Sequence, residues 1–273
     1  LCYLHNFDEV EHPKALRMPA GQGRQFRLLM AQLAKRLQAE IPKRLAQDDF
    51  KAERQRMEEA CTLEKDRGYV ALSAYAEAHN FGLMRDEGHM VFTLKDEKGE
   101  PVTAGKALAR TPSQRVAMEK AEEALRNEIS RYMDTTQSMD RVMNEGLAAL
   151  RRQTIEPLLE HELQLVRHGL LPAVQGDAKL GQFLDQVRHA VLENLALFQP
   201  GDDEAMRLEA LAVVLLLFRV NVVVDNHALQ GAPVILEDNP LFRTLFGSVE
   251  YASDGGELLT DFSHIRAGSL LKA

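Results

Sequence analysis

Tryptophan is absent, and Cys2 and Cys61 are the only cysteines in 273 residues. Two cysteines supply neither a disulfide framework nor zinc-ligand spacing, so a reducing interior is expected and the cytoplasm is the expected location. No stretch reads as a signal peptide, and the longest apolar run, ALAVVLLLF from Ala210 to Phe218, is too short to span a bilayer. An excess of positive charge is lacking too. Lys and Arg total 33 against 41 Asp and Glu, for a net charge of -8. That balance leaves no basic footprint, so neither nucleic acid nor a membrane is expected as a partner. Leu1 lies inside a strand-like pattern, LCYLHNF, which predicts a chain cut from a longer protein.

Phosphate-binding motifs are missing where they would be looked for. RMPAGQGRQF (Arg17 to Phe26) follows the opening strand pattern and precedes a helix, the setting of a phosphate loop. A nucleotide loop needs G-x-x-x-x-G-K-[ST], because backbone N–H groups wrap the phosphates, Lys meets their charge and the hydroxyl holds Mg²⁺. Nothing after Gly23 provides these groups, and Phe26 stands where a dinucleotide loop would have its third glycine. GEPVTAGKA (Gly99 to Ala107) has one residue too many and ends in Ala107 where Ser or Thr is required. A turn that starts a helix is the preferred reading of both.

What is present is mostly helical periodicity. Phe26, Leu29, Met30, Leu33, Leu37 and Ile41 make one apolar helical face, with Pro42 expected to kink its end. Asp48 or Asp49 can cap a second helix reaching about Asn80. The stretch Phe81 to Thr103 alternates around Glu87-Gly88 and predicts a β-hairpin. Thr111-Pro112 opens a helical pattern that persists to about Leu170, in which Gly146 and Pro157 predict two or three segments rather than one. Helices at about 178–198 and 203–218 follow. RVNVVVDN and APVILEDN then read as β-branched strands. The order strand, helical block, strands predicts an α/β core interrupted by a helical insertion.

Several local patterns invite chemistry and have plainer explanations. Asp225, Glu237 and Asp238 end strand-like runs, as a Mg²⁺ carboxylate would, but turns commonly begin with such residues. SLLK (Ser269 to Lys272) matches S-x-x-K without the S-D-N and K-T-G elements that accompany it in penicillin-recognising enzymes. His161 and His168 share a helix face, but no third ligand accompanies them. The methionines at helical positions suit core filling, or alternatively a pliable surface for unfolded polypeptide.

Two stretches carry a family resemblance. CYLHNFDEVEHPKALRMPAGQGRQF (Cys2 to Phe26) and the segment from Val220 to Leu270 resemble the bacterial Lon-like ATP-dependent proteases of the LonB/LonC-type branch. The second stretch combines V-N-x-x-V-D-N, G-A-P-V, N-P-x-x-x-x-L-F-G, T-D-F and I-x-A-G in order. Here Ser269 to Ala273 read SLLKA, where relatives more often have Ala-Leu-His-Arg-Ala.

The resemblance implies an α+β, mostly α fold, a partial AAA+ α/β core interrupted by a long helical, coiled-coil-like insertion. Residues 1–26 and 218–273 would be pieces of that core. Residues 27–217 would be the insertion, with its hairpin near 81–103. It implies the substrate-recognition and translocation part of a ring-forming protease, likened to a hexamer, that feeds unfolded or damaged protein to a Ser-Lys peptidase. Walker A, Walker B and the Ser-Lys dyad would lie outside this chain, which alone is expected to be inactive and to hold no cofactor or metal. ATP and Mg²⁺ would belong to the parent. By position, Met18, Pro19, Ala20, Gly21, Gln22 and Gly23 would form a substrate-gripping pore loop. A non-catalytic helical interaction module, or a chaperone-like clamp, is the alternative.

Overall fold

A computed structural model describes residues 1–86, 89–96, 99–102, 111–201, 203–254, 257–259 and 261–273. The expected hairpin tip at Glu87-Gly88 and most of GEPVTAGKA lie outside the described residues. The chain folds as two compact units, Leu1–Phe50 with Arg151–Ala273, and Lys51–Leu150. Packing therefore groups 27–50 and 151–217, expected in the insertion, with the terminal segments expected in the core. The class is α+β and mostly α.

In the first unit, β1 (Cys2–Leu4) is the middle strand of a three-stranded antiparallel sheet, between β2 (Lys14–Leu16) and β5 (Val220–Val222). Cys2 faces Leu16 on one side and Val222 on the other. Cys2 and Leu4 are buried while Tyr3 between them is half-buried, as the two-residue period of a strand requires. Against the sheet starts α1 (Gln22–Leu45), and Phe26, Met30, Leu33, Leu37 and Ile41 are all fully buried on its inner face. The helix runs through Pro42 to Leu45. Asp177 caps α5 (Ala178–Glu193) by accepting from the N–H groups of Lys179 and Leu180, after the one-turn α4 (Pro172–Gln175). Phe183 of α5 meets Phe26 edge to face, with centroids 6.2 Å apart. Buried Glu162 accepts from Arg36 at 3.1 Å, so its charge has a partner.

Burial also sets a pH response. The His5 ring lies between Phe7 and Phe262, at 4.7 and 5.9 Å between centroids. Burial pushes its pKa below the ordinary value, against a smaller opposing pull from Asp261. The unfolded chain thus binds this proton at a higher pH than the folded one. The stability involved is fully present above the unfolded value near 6.5 and is lost as pH falls through the folded value. His5→Phe should flatten the stability slope on the acid side of about pH 6.5, read from denaturation midpoints at a series of pH values.

The second unit is built from α2 (Asp48–Ala78), the first part of α3 (Pro112–His168) and the hairpin β3–β4 (Phe81–Asp86 and His89–Leu94). Leu72, Ala76, Phe81, Leu83, Leu125 and Ile129 form its own core. Tyr132 takes a hydrogen bond from Arg85 at 2.8 Å and donates to the Lys65 carbonyl at 3.1 Å. The hairpin agrees with the alternation in the sequence, and a bridge from Lys95 to Pro101 extends it.

The expected breaks in the long helix are absent: α3 is continuous from Pro112 to His168. A side chain at Gly146 would place its Cβ 2.5 Å from the Met57 methyl, so the glycine makes room for a neighbour rather than ending the helix. Pro157 stands inside it, and buried Ile155 and Leu159 on either side supply packing that offsets the lost hydrogen bond.

After α6 (Glu204–Leu216) and β5 the chain becomes irregular. Asn221 donates to the carbonyls of Phe262 and Ile265 at 2.8 and 3.0 Å, tying β5 to the C-terminal segment. That segment holds α7 (Phe242–Phe246), the antiparallel pairs β6–β9 (Gly247–Val249 with Ile265–Ala267) and β7–β8 (Ala252–Asp254 with Glu257–Leu259), and α8 (Ser269–Lys272). The strand expected at APVILEDN does not form. Val234 and Leu236 are 95% and 88% exposed there, with no partner strand among the described residues.

Candidate functional site

The loop between β2 and α1 is held at its C-terminal end by Gly21 and Gly23, each for its own reason. Gly21 has φ 79°, a left-handed conformation that costs an L side chain energy, and it lets the Gln25 N–H reach the Gly21 carbonyl at 3.2 Å. Gly23 is buried where α1 approaches the sheet. A Cβ there would lie 2.9 Å from Cys2 Sγ and 3.3 Å from Val222 Cγ1. Close packing, not freedom to move, explains that glycine.

The other four positions differ in what they offer. Pro19 and Ala20 are exposed and Met18 is half-buried. Gln22 is half-buried, and its side-chain oxygen accepts the Leu171 N–H at 2.8 Å, which pins the start of α1 to the turn before α4. Met18, Pro19, Ala20, Gly21 and Gly23 share a small cavity of about 160 Å³ with Val224, Asp225 and Asn226. Structure thus brings the loop together with the V-D-N end of the strand run, more than two hundred residues later.

Asp225 organises this end. Its carboxylate forms an ion pair with Arg24 and accepts the His227 backbone N–H at 3.1 Å. His227 Nδ1 lies 3.3 Å from the same carboxylate, and its Nε2 is 3.0 Å from Arg24 Nη1. The Asp225 side chain is only 14% exposed, and the Arg24 guanidinium balances its charge there. ATP with Mg²⁺ does not fit these residues. Neither lysine nor hydroxyl lines the cavity, and its one carboxylate is committed to Arg24.

Other reactive groups of this unit are held in structural contacts. Burial raises the pKa of the Cys2 thiol and keeps it protonated and unreactive. Asp261, Ser263 and His264 are adjacent, but the Asp261 carboxylate accepts from Ser263 and pairs with His264. The serine hydroxyl therefore points at a carboxylate rather than at a base, and the three cap a short turn. Burial alone would raise the Asp261 pKa, but the Ser263 hydrogen bonds and the nearby imidazole hold it below the usual value. Among the described residues, no group of three or more His, Cys, Asp or Glu is placed to hold a metal ion. No helix among them is long and apolar enough to cross a membrane.

Periodicity carried no signal for the Arg24–Asp225–His227 cluster, whose members become neighbours only through the β1–β5 pairing.

No curated protein sequence matches the chain. Two protein families do. Residues 1–33 match the Lon-like LonC helical domain, and residues 230–273 match the LonB-like AAA domain. The first match covers the whole stretch 1–26. The sheet pairs that stretch with Val220–Val222 in a single packing unit. At its two ends, then, the chain is similar to Lon-like domains, to the LonC helical domain first and to the LonB-like AAA domain last.

Proposed function

We propose that this chain is the substrate-handling part of a Lon-like, ATP-dependent serine protease, and that the loop from Met18 to Gly23 touches the polypeptide being moved. The observation that carries the reading is the form of the loop. Met18, Pro19 and Ala20 offer small and apolar surface, while Gln22 and Gly23 anchor the following helix to the body of the unit. An apolar tip on a fixed base suits contact with an extended chain of any sequence. The family matches at the two ends support the protease assignment. Ring assembly, ATP use by adjoining domains and a cytoplasmic location belong to the same reading. Exposed Val234, Leu236 and Phe242, in the AAA-like segment, support its packing against further polypeptide.

A second reading, a helical binding module, has an observation of its own. Met57, Met139, Met143 and Val142 line a groove of about 460 Å³ within the second unit, and Val142 is 62% exposed. Methionine surfaces adapt to varied apolar partners.

One paired experiment tests both. In the protein joined to its ATPase and peptidase domains, Met18→Glu should slow degradation of a folded substrate by about tenfold, with cleavage of a short peptide nearly unchanged. Equal loss of both activities, or loss of neither, would sink the loop assignment. If Val142→Glu weakens binding of unfolded protein while Met18→Glu does not, the module reading replaces it.

A further inference from the structure

A groove of the first unit lies away from the loop and from the Asp225 cluster. On α1 it is lined by Arg27, Met30, Ala34, Lys35 and Gln38. Arg27, Met30, Ala34 and Gln38 recur every three or four residues, with Lys35 beside Ala34, so they form one stripe running along about three helical turns, some 16 Å. Across from them, α6 presents Leu215 and Leu216, and Phe218 lies beyond its end. The space between is about 630 Å³.

Its charge is one-sided. Arg27, Lys35, Arg219 and Arg266 line it and no Asp or Glu does, in a chain where acids outnumber bases by 41 to 33. The Arg266 guanidinium is already paired with Glu250 at 2.9 Å. Arg27, Lys35 and Arg219 have no carboxylate partner among the described residues, and all three are exposed. An apolar floor with three available cations at its edge is a recognition surface for an apolar body that carries negative charge.

We propose that this groove takes an acidic amphipathic helix from a partner protein. The helix would lay its apolar face on Ala31, Ala34, Leu215 and Leu216, above the buried Met30 and Phe218, and set its carboxylates toward Arg27, Lys35 and Arg219. Length favours a helix, since a straight seam of three turns accepts apolar anchors at i, i+3, i+4 and i+7. Charge number favours it as well. A single-headed amphiphile such as a fatty acid would meet one cation and leave the others unsatisfied, whereas the flank of a helix offers several acids at matching spacing. This goes beyond the polypeptide-gripping role of the loop and stands or falls without it.

The test uses the 273-residue chain and a labelled peptide of about 15 residues, with leucines on one face and glutamates on the flanks. A matching peptide has lysines in place of the glutamates. Fluorescence anisotropy should show the acidic peptide binding at least about tenfold more tightly, with affinity falling as salt rises. The double variant Arg27→Glu, Lys35→Glu changes only exposed side chains, and circular dichroism checks that it keeps its fold. It should weaken the acidic peptide by about tenfold or more and strengthen the lysine peptide. Equal affinity for the two peptides, or an acidic affinity untouched by the double variant, overturns the proposal. So does laurate binding without peptide binding, which would give the groove to a small amphiphile. Self-association that the double variant abolishes, with no peptide bound, would give it to a second copy of the chain.

Discussion

Gly23→Val should destabilise the first unit by about 2–3 kcal/mol, even though valine is the better helix residue by a few tenths. The first β-carbon alone would lie 2.9 Å from Cys2 Sγ and 3.3 Å from Val222 Cγ1. Cys2 opens the middle strand of the sheet, facing Leu16 and Val222, and it has no exposed surface into which it could retreat. The γ-carbons of valine would then press on both strands. Gly21→Ala should cost less, about 1 kcal/mol, because its nearest neighbour is 3.6 Å away and only the positive φ is strained. Gly176→Ala is the control. Its φ is -90° and nothing lies within 4 Å, so it should be neutral or slightly stabilising. Urea denaturation followed by circular dichroism gives all three midpoints. A Gly23→Val midpoint equal to the parent's would mean that the helix start does not rest on the sheet as described.

That pair of glycines shows where sequence reading reaches and where it stops. RMPAGQGRQF revealed a turn before a helix, and the lack of Lys and Ser/Thr removed the phosphate loop. It could not tell a glycine that bends the backbone from one that admits a neighbour, because the neighbours of Gly23 are Cys2 and Val222. The inner face of α1 was legible from spacing alone, and each of Phe26, Met30, Leu33, Leu37 and Ile41 is fully buried. The β3–β4 hairpin was legible for the same reason, a clean change from helical to alternating period. Gly146 and Pro157 misled because their propensities are local, whereas α3 is kept whole by side chains that pack on it, among them Met57 against Gly146. APVILEDN misled in the opposite sense. Its β-branched residues favour a strand, but a strand needs an edge to pair with, and Val234 and Leu236 point into solvent instead. The Arg24–Asp225 ion pair joins residues that no periodicity relates, so the site came into view only when the sheet closed.

Phe183→Ala should be the most damaging of the simple truncations in this unit, at about 3–5 kcal/mol. The ring is wholly buried on α5 and meets two others. One is Phe26 on α1, edge to face at 6.2 Å, and the other is Phe7, just after β1, at 6.3 Å. It thereby packs against both the helix that carries the loop and the segment leading out of the central strand. Removing it leaves a cavity among Phe7, Phe26 and their surroundings that the rigid sheet cannot close, and it forfeits the edge-to-face contact besides. Phe183→Leu keeps most of the volume and should cost only about 1–1.5 kcal/mol, which separates filling from the aromatic geometry. Phe242 is the matched control on the AAA-like segment. It is 77% exposed and contacts the Phe246 ring at 4.8 Å, so Phe242→Ala should stay within about 0.5 kcal/mol of the parent. If Phe183→Ala and Phe242→Ala move the denaturation midpoint equally, then the core has been assigned to the wrong residues. If only Phe183→Ala moves it, and the Met18 variant remains as stable as the parent, any loss of substrate handling in that variant belongs to the loop itself and not to the fold beneath it.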